Sequence, residues 1–375
     1  MGIAVGSTNL NPETAMVLQD ILPWPCRAAK LFGHWPFAYS KGQLQFHWIS
    51  WGSFFTAINL CVEIGSLMIV RSRRQNSSQR LRNATYSNII MSPTEAFGHT
   101  ILIFVQSLAV IFLLLVTIAL RNKILALHSS FEHALSNVSK CAPVATHTEM
   151  LKAKLKVRNI LVTFVGLAVV RACVFTAVLG SGLKGVDQAR ACFTIIVCFI
   201  WILTMAMVTS WLAVVYGLVL ILGNAFEILA KELEGKQSGY AQPMKTVENV
   251  LDRAKQLRQV LKEMNETLKV PLVGLFVFMI IALTVSIFFA AVGVSKHSQQ
   301  LVIFCTLNLA IFMFPIHVLS SGGEELVSKG RRYADALERV ECHTDELRFK
   351  VRNSFDDILE FWGTAARDRG FFDTG

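Results

Sequence analysis

Charge is what this sequence has least of. Only 17% of its 375 residues are Asp, Glu, Lys or Arg, against about 25% in a soluble domain. The shortage is local, because several stretches of 20 or more residues carry none. That length matches a bilayer's ~30 Å hydrocarbon core, which about 20 helical residues cross. Proline is scarce at 9 while phenylalanine reaches 26, a balance that excludes a disordered chain. The apolar runs are continuous and do not alternate, which excludes a transmembrane β-barrel. No basic segment with a short apolar run behind it opens the chain, so an internal span is expected to direct insertion.

Chemical signatures are missing too. There is no CxxC and no Cys/His pair at zinc spacing. Cys61, Cys173, Cys192, Cys198 and Cys305 lie in or beside the apolar runs and read as small packing residues. GxSxG, HExxH, a Walker A loop and a dinucleotide fingerprint are all absent. The chain therefore reads as no enzyme, with no catalytic residue, metal or cofactor. Its net charge of +10 is an excess of Lys and Arg in the loops between apolar runs. A nucleic-acid partner would call for a basic face on a soluble fold, and none is expected.

What is present is a series of six apolar runs, at about 48–70, 97–120, 159–180, from 192 onward, 270–294 and 299–320. The expected fold class is all-α, a polytopic membrane helical bundle with long cytosolic helical extensions. Lys and Arg set its orientation. With the N-terminus in the cytosol, 27 of the 36 fall in cytosolic segments and 8 in outer loops. The expected divisions are a cytosolic N-terminal segment (1–47), spans one to four (48–222), a cytosolic helical extension (223–269), spans five and six (270–320) and a cytosolic C-terminal helix (321–375). The uncharged run from Cys192 to Phe226 has 35 residues, about 52 Å of helix at 1.5 Å per residue, so it must tilt or continue into the cytosol. Apolar residues recur at helical spacing beyond it, at Phe226, Leu229 and Leu233, then from Val247 to Leu268, and again from Leu326 to Trp362. They predict a cytosolic helical bundle continuous with the spans. In the outer loop at 71–96, Asn76 and Asn83 begin glycosylation sequons.

Polar residues inside spans are costly and usually face a partner or a cavity. Glu63 and Arg171 are the only charged ones, and at similar depth they could form an ion pair. Gln106, Trp201, Thr204, Phe288, Phe289, Thr306 and Asn308 are candidates, with Arg171, for the lining of an outer ligand pocket, since rings beside amides and hydroxyls suit a small polar organic molecule. Pro315 interrupts the sixth span and is a candidate hinge. Each of these residues also has a plain packing role.

The segment from Ala28 to Phe37, containing Phe32-Gly-His-Trp-Pro, and the following Phe46-His-Trp-Ile-Ser resemble the approach to the first span of insect gustatory receptors. That form is most similar to the family's sugar- and carbon-dioxide-receptor branches, and Gly323-Glu-Glu-Leu-Val-Ser-Lys-Gly-Arg-Arg and Gly370-Phe-Phe-Asp-Thr are similar to later parts of the family. The resemblance implies a plasma-membrane, multi-pass chemoreceptor that forms ligand-gated cation channels as a homo- or hetero-tetramer of gustatory receptor subunits. It implies a small-molecule tastant as ligand, with a sugar or polyol favoured by the aromatic and amide side chains. The family's seventh, pore-lining helix with its Thr-Tyr and Gln-Phe signature does not occur in the sequence up to Gly375. A small-solute transporter using Glu63 and Arg171, and a receptor of the G-protein-coupled type, are the alternatives. An epitope tag at residue 1 should stay inaccessible on intact cells; staining without permeabilisation would reverse the orientation.

Overall fold

Uncharged runs longer than a bilayer is thick fold here into helices longer than a bilayer is thick. The structure, a computed structural model, describes residues 37–40, 43–46, 93–140, 143–181, 188–235, 244–295 and 299–340, with isolated helical positions at 58, 61, 64 and 65. A small antiparallel hairpin comes first. Strand β1 (Phe37–Ser40) pairs with β2 (Gln43–Phe46), Phe37 opposite Phe46. Six helices follow: α1 (Pro93–Ala119), α2 (Arg121–Ser139), α3 (Pro143–Ser181), α4 (Gln188–Gly235), α5 (Met244–Ser295) and α6 (Gln299–Glu338). Among the described residues the fold is all-helical apart from the hairpin.

The 48 residues of α4 extend about 72 Å and the 52 of α5 about 78 Å. Each joins an apolar half to a charged half without a break. Of the expected cytosolic extension (223–269), residues 223–235 continue α4, and from Met244 onward it is one helix with the span that follows it, through Lys269 and Val270. The segment 121–158, expected as a cytosolic connection, is filled by α2 and the first turns of α3. Its apolar residues belong to an amphipathic surface and never form a run, so a search for runs passes over them. Among the described residues, Val208–Glu234, Val247–Ser295 and Cys305–Glu338 are long and apolar enough to cross a membrane, and α1 with α2 forms a fourth candidate bent by 70°. The expected first span lies almost wholly outside the described residues.

Helix α4 is the axis of the bundle. It packs on α6 and α3 most extensively, and also on α5 and α1. Its apolar window is 89% buried, against 28% and 33% for those of α5 and α6. Its hydrophobicity therefore serves the protein core, while α5 and α6 each turn an apolar face outward. Val162, Val165 and Val169 on α3 and Val273, Val277 and Ile280 on α5 are exposed in this way. Cys305 is buried as expected, but Cys61 and Cys173 are exposed, the latter near the exposed Val169 and Val170. Glycine allows two close approaches. A Cβ on Gly274 would fall 2.2 Å from Cε1 of Phe112, and one on Gly322 would fall 2.7 Å from Cε2 of Tyr216. The α1–α5 and α4–α6 contacts are therefore closed by an aromatic ring lying against bare backbone.

The bend between α1 and α2 sits where charge returns to the sequence, at Arg121. The Arg121 guanidinium lies 5.6 Å from the centre of the Phe46 ring, a cation–π contact that joins the hairpin to the bend. Helix α2 then buries Leu127, Phe131, Leu135 and Val138 and packs mainly on α5. The spacing of 4, 4 and 3 is that of one helical face.

His128 shares the buried side of α2. Burial pushes its imidazole down from 6.5 to about 4, and outweighs Glu132, whose Oε1 lies 3.5 Å away and favours the charged ring. The folded value is depressed, so the unfolded chain takes up a proton first as pH falls. The stability contributed by neutral His128 is complete above pH 6.5 and declines between 6.5 and about 4. The gap corresponds to about 3 kcal/mol. Thermal midpoints of the purified protein should fall as pH drops through this window, and His128→Phe should flatten the decline.

Candidate functional site

Within the apolar half of the bundle, α1, α3, α4, α5 and α6 leave a cavity of ≈ 450 Å³, a volume that includes the space at its mouth. Helical spacing explains its walls. Leu275, Phe278, Met279 and Ala282 fall on one face of α5, and Ile311, Phe312 and Pro315 on one face of α6. Phe164 closes the side formed by α3, and Met205 and Val208 that formed by α4. On α1, Val105, Gln106 and Ala109 complete the ring. Room exists because the lining places alanine at 109 and 282 where larger residues would meet.

Among the described residues, Gln106 is the one polar side chain in this lining. It is 5% exposed, and neither its amide oxygen nor its amide nitrogen has a hydrogen-bond partner among the described residues. A second cavity of ≈ 280 Å³ shares Phe164 and Pro315 with the first and continues along α6 to Val318 and Leu319. Its one polar residue, Thr209, is satisfied by its own helix, donating to the Met205 carbonyl at 2.6 Å. Phe164 and Pro315 thus form the partition between two stacked voids. Pro315 has no N–H to give the Ile311 carbonyl, which weakens α6 at the level of that partition.

The residues singled out from the sequence divide sharply. Gln106 and Pro315 meet at the cavity. Asn308, fully buried one helical turn from Phe312, also has both amide atoms unpartnered among the described residues, but it does not line the cavity. Arg171 is buried two turns beyond Phe164 on α3, within electrostatic range of Cys305. Phe289 is buried against Cys305 and meets Phe288 edge to face at 5.3 Å, while Phe288 itself is exposed. Thr306 is exposed as well, and its hydroxyl donates to the Val302 carbonyl at 2.8 Å. Phe288 and Thr306 therefore do not face the cavity. Trp201 and Thr204 lie on α4 by position, with side chains outside the described residues. Glu63, and with it the Glu63–Arg171 pair, lies outside them, as do Asn76 and Asn83. Among the described residues no group of three or more His, Cys, Asp or Glu side chains is arranged to hold a metal.

Comparison with known proteins bears on what this bundle is. The family described as 7tm Chemosensory receptor matches residues 26–351, most of the chain. The chain belongs to the 7tm chemosensory receptor family. It is accordingly a multi-pass membrane receptor. No curated protein sequence matches it. Among solved structures it resembles the insect olfactory receptor OR5 from Machilis hrabei, at 13% identity and a TM-score of 0.68, over 91% of this chain and 89% of that one. The same receptor in complex with eugenol matches at 12% identity and a TM-score of 0.66, over 92% and 89% of the two chains. At this identity the likeness is one of fold.

At the charged end of the receptor, a polar network that the sequence reading missed ties α3, α4 and α6 together. Glu149 accepts from Lys152 at 3.0 Å and from Lys231 at 3.1 Å. Lys156 bridges to Glu325 at 2.8 Å, and Lys329 to the same carboxylate at 2.7 Å. Arg332 pairs with Glu227 and, at 2.9 Å, with Glu234. Burial pushes the Glu149 and Glu325 carboxyls up, yet the two lysines on each hold them below the usual carboxylate range. The signal available in the sequence was the sharing of one helix face by Asn224, Glu227, Lys231 and Glu234.

Most of these pairs are partly exposed and contribute little each. Asn224 differs, being 3% exposed. It donates to the Glu149 carbonyl oxygen at 2.8 Å and accepts from Lys329, so it links all three helices. Asn224→Leu should cost about 1–3 kcal/mol by removing the buried hydrogen bonds that join the three helices, whereas Lys152→Met should cost under about 1 kcal/mol. Thermal unfolding of the purified receptor checks both.

Proposed function

We propose that this receptor is a gustatory-type subunit of a ligand-gated cation channel, opened by a small organic molecule held in the larger cavity. The observation that carries the reading is the cavity itself: five helices meet around it, and one wall contains the proline-weakened turn of α6. A molecule seated there presses on Phe164 and Pro315. The void behind this partition gives the rings of Phe164 and Phe314, 6.1 Å apart, space to yield. Helix α6 then carries the change past Gly322 to Glu325, Lys329 and Arg332. Opening follows only if the ligand binds the open arrangement better than the closed one.

In this reading the charged end of the bundle is cytosolic, the receptor resides in the plasma membrane, and subunits assemble as tetramers with each other or with related gustatory receptors. The ligand it favours is less polar than the sugar or polyol that the sequence suggested. A polyol would enter with several hydroxyls against a wall holding one amide. Each hydroxyl stripped of water and left unpaired costs about 1–3 kcal/mol.

Cells expressing the receptor should show cation currents or calcium entry in response to members of a small-molecule panel. Ala282→Phe, which fills the cavity, should raise the half-effective concentration at least tenfold at unchanged surface expression. A response that survives this substitution places the ligand elsewhere.

A further inference from the structure

The side chain of Gln106 is in an environment that a glutamine occupies only at a cost. Its amide offers two N–H donors and a carbonyl with two lone pairs. Both heavy atoms are buried without a partner among the described residues, and the rest of the cavity lining is hydrocarbon, thioether and ring. A buried polar group left this way calls for a partner beyond the described residues. Leucine or methionine would fill the same space without the penalty, as Met205 and Met279 do nearby.

We propose that Gln106 selects the ligand class of this receptor: a compact, uncharged, mainly apolar molecule bearing one hydroxyl or amide group that both donates to and accepts from its side chain. The proposal rests on the cavity reading above and adds to it the chemistry of the occupant. Four alternatives fail against the same wall. An ionised ligand would meet no counter-charge in the lining. A polyol would leave most of its hydroxyls unpaired. A hydrocarbon would fit the wall and leave Gln106 as it is. An ether or ketone would accept from the amide nitrogen and leave the amide oxygen unmet. Water is the natural competitor, since a polar, roomy corner of a cavity can hold it. A ligand hydroxyl reproduces both of the water's bonds to Gln106 while its apolar body displaces the rest, which is the favourable kind of displacement.

The test uses three probes of one shape: 4-propylphenol, 4-propylanisole and 4-propyltoluene. Their binding to the purified receptor in lipid nanodiscs is measured by ligand-observed NMR and by thermal shift. The phenol should bind at least tenfold more tightly than the hydrocarbon, with the ether between them. Gln106→Leu should shrink the phenol-to-hydrocarbon ratio below about twofold while the hydrocarbon binds as well as before or better. Gln106→Met repeats the test with a different side-chain shape, and retained hydrocarbon binding in either variant shows that the cavity is intact. A flat series in the unsubstituted receptor, as a retained water would give, overturns the role of Gln106 and leaves the cavity reading standing. A preference that survives both substitutions overturns it too. If none of the three probes binds the unsubstituted receptor, both the proposal and the cavity reading fall.

Discussion

The structure is organised around a mismatch of length. Helix α4 carries an uncharged run of 35 residues, and a bilayer core covers about 20 of them. The remainder would expose leucine, valine and phenylalanine to water unless protein covers it. The charged halves of α3, α5 and α6, with α2, provide that cover. Leu220, Ile221, Leu222, Phe226, Leu229 and Leu233 on α4 are almost wholly buried. The same helix is therefore the axis of an apolar half and the core of a charged half.

That shared axis couples the two ends. In the apolar half, α4 helps wall the cavities through Met205, Val208, Thr209 and Leu212. Tyr216, about one turn beyond Leu212, lies against Gly322, and Asn224, about three turns beyond Leu212, joins α3 to α6. A rearrangement of α6 at Pro315 would be felt at the ion pairs of Glu325 and Arg332, because no flexible segment intervenes in either helix. The charged network orients the helices more than it stabilises them, since most of its members remain partly in contact with water.

Two buried amides in the apolar half lack partners among the described residues, and their circumstances differ. Gln106 lines a cavity, whereas Asn308 is enclosed beside it. Polar atoms without partners are where local preference and global fold disagree, and such places tend to be functional. The surrounding walls are made almost entirely of hydrocarbon, so the character of the site depends on one side chain.

The sequence by itself determined the class of the protein and some of its helix ends. Runs without charge exclude a soluble fold wherever they occur, and the breaks fall where charge, glycine or proline returns, as at Arg121, Gly235 and Pro243. It also singled out Gln106 and Pro315, because a polar or ring-locked residue stands out in an apolar run whatever surrounds it. The amphipathic helix α2 was not legible as a run, since its apolar residues are spread through a polar segment and acquire meaning only against α5. Only the tertiary structure decided that Phe288 and Thr306 face outward while Gln106 faces a void. In an apolar span both faces read alike, and which face is lipid-exposed is set by the neighbouring helices. The cavity itself is lined from five different helices, Ala109 and Ala282 among its walls, and no local pattern in one helix encodes the size of a gap to another.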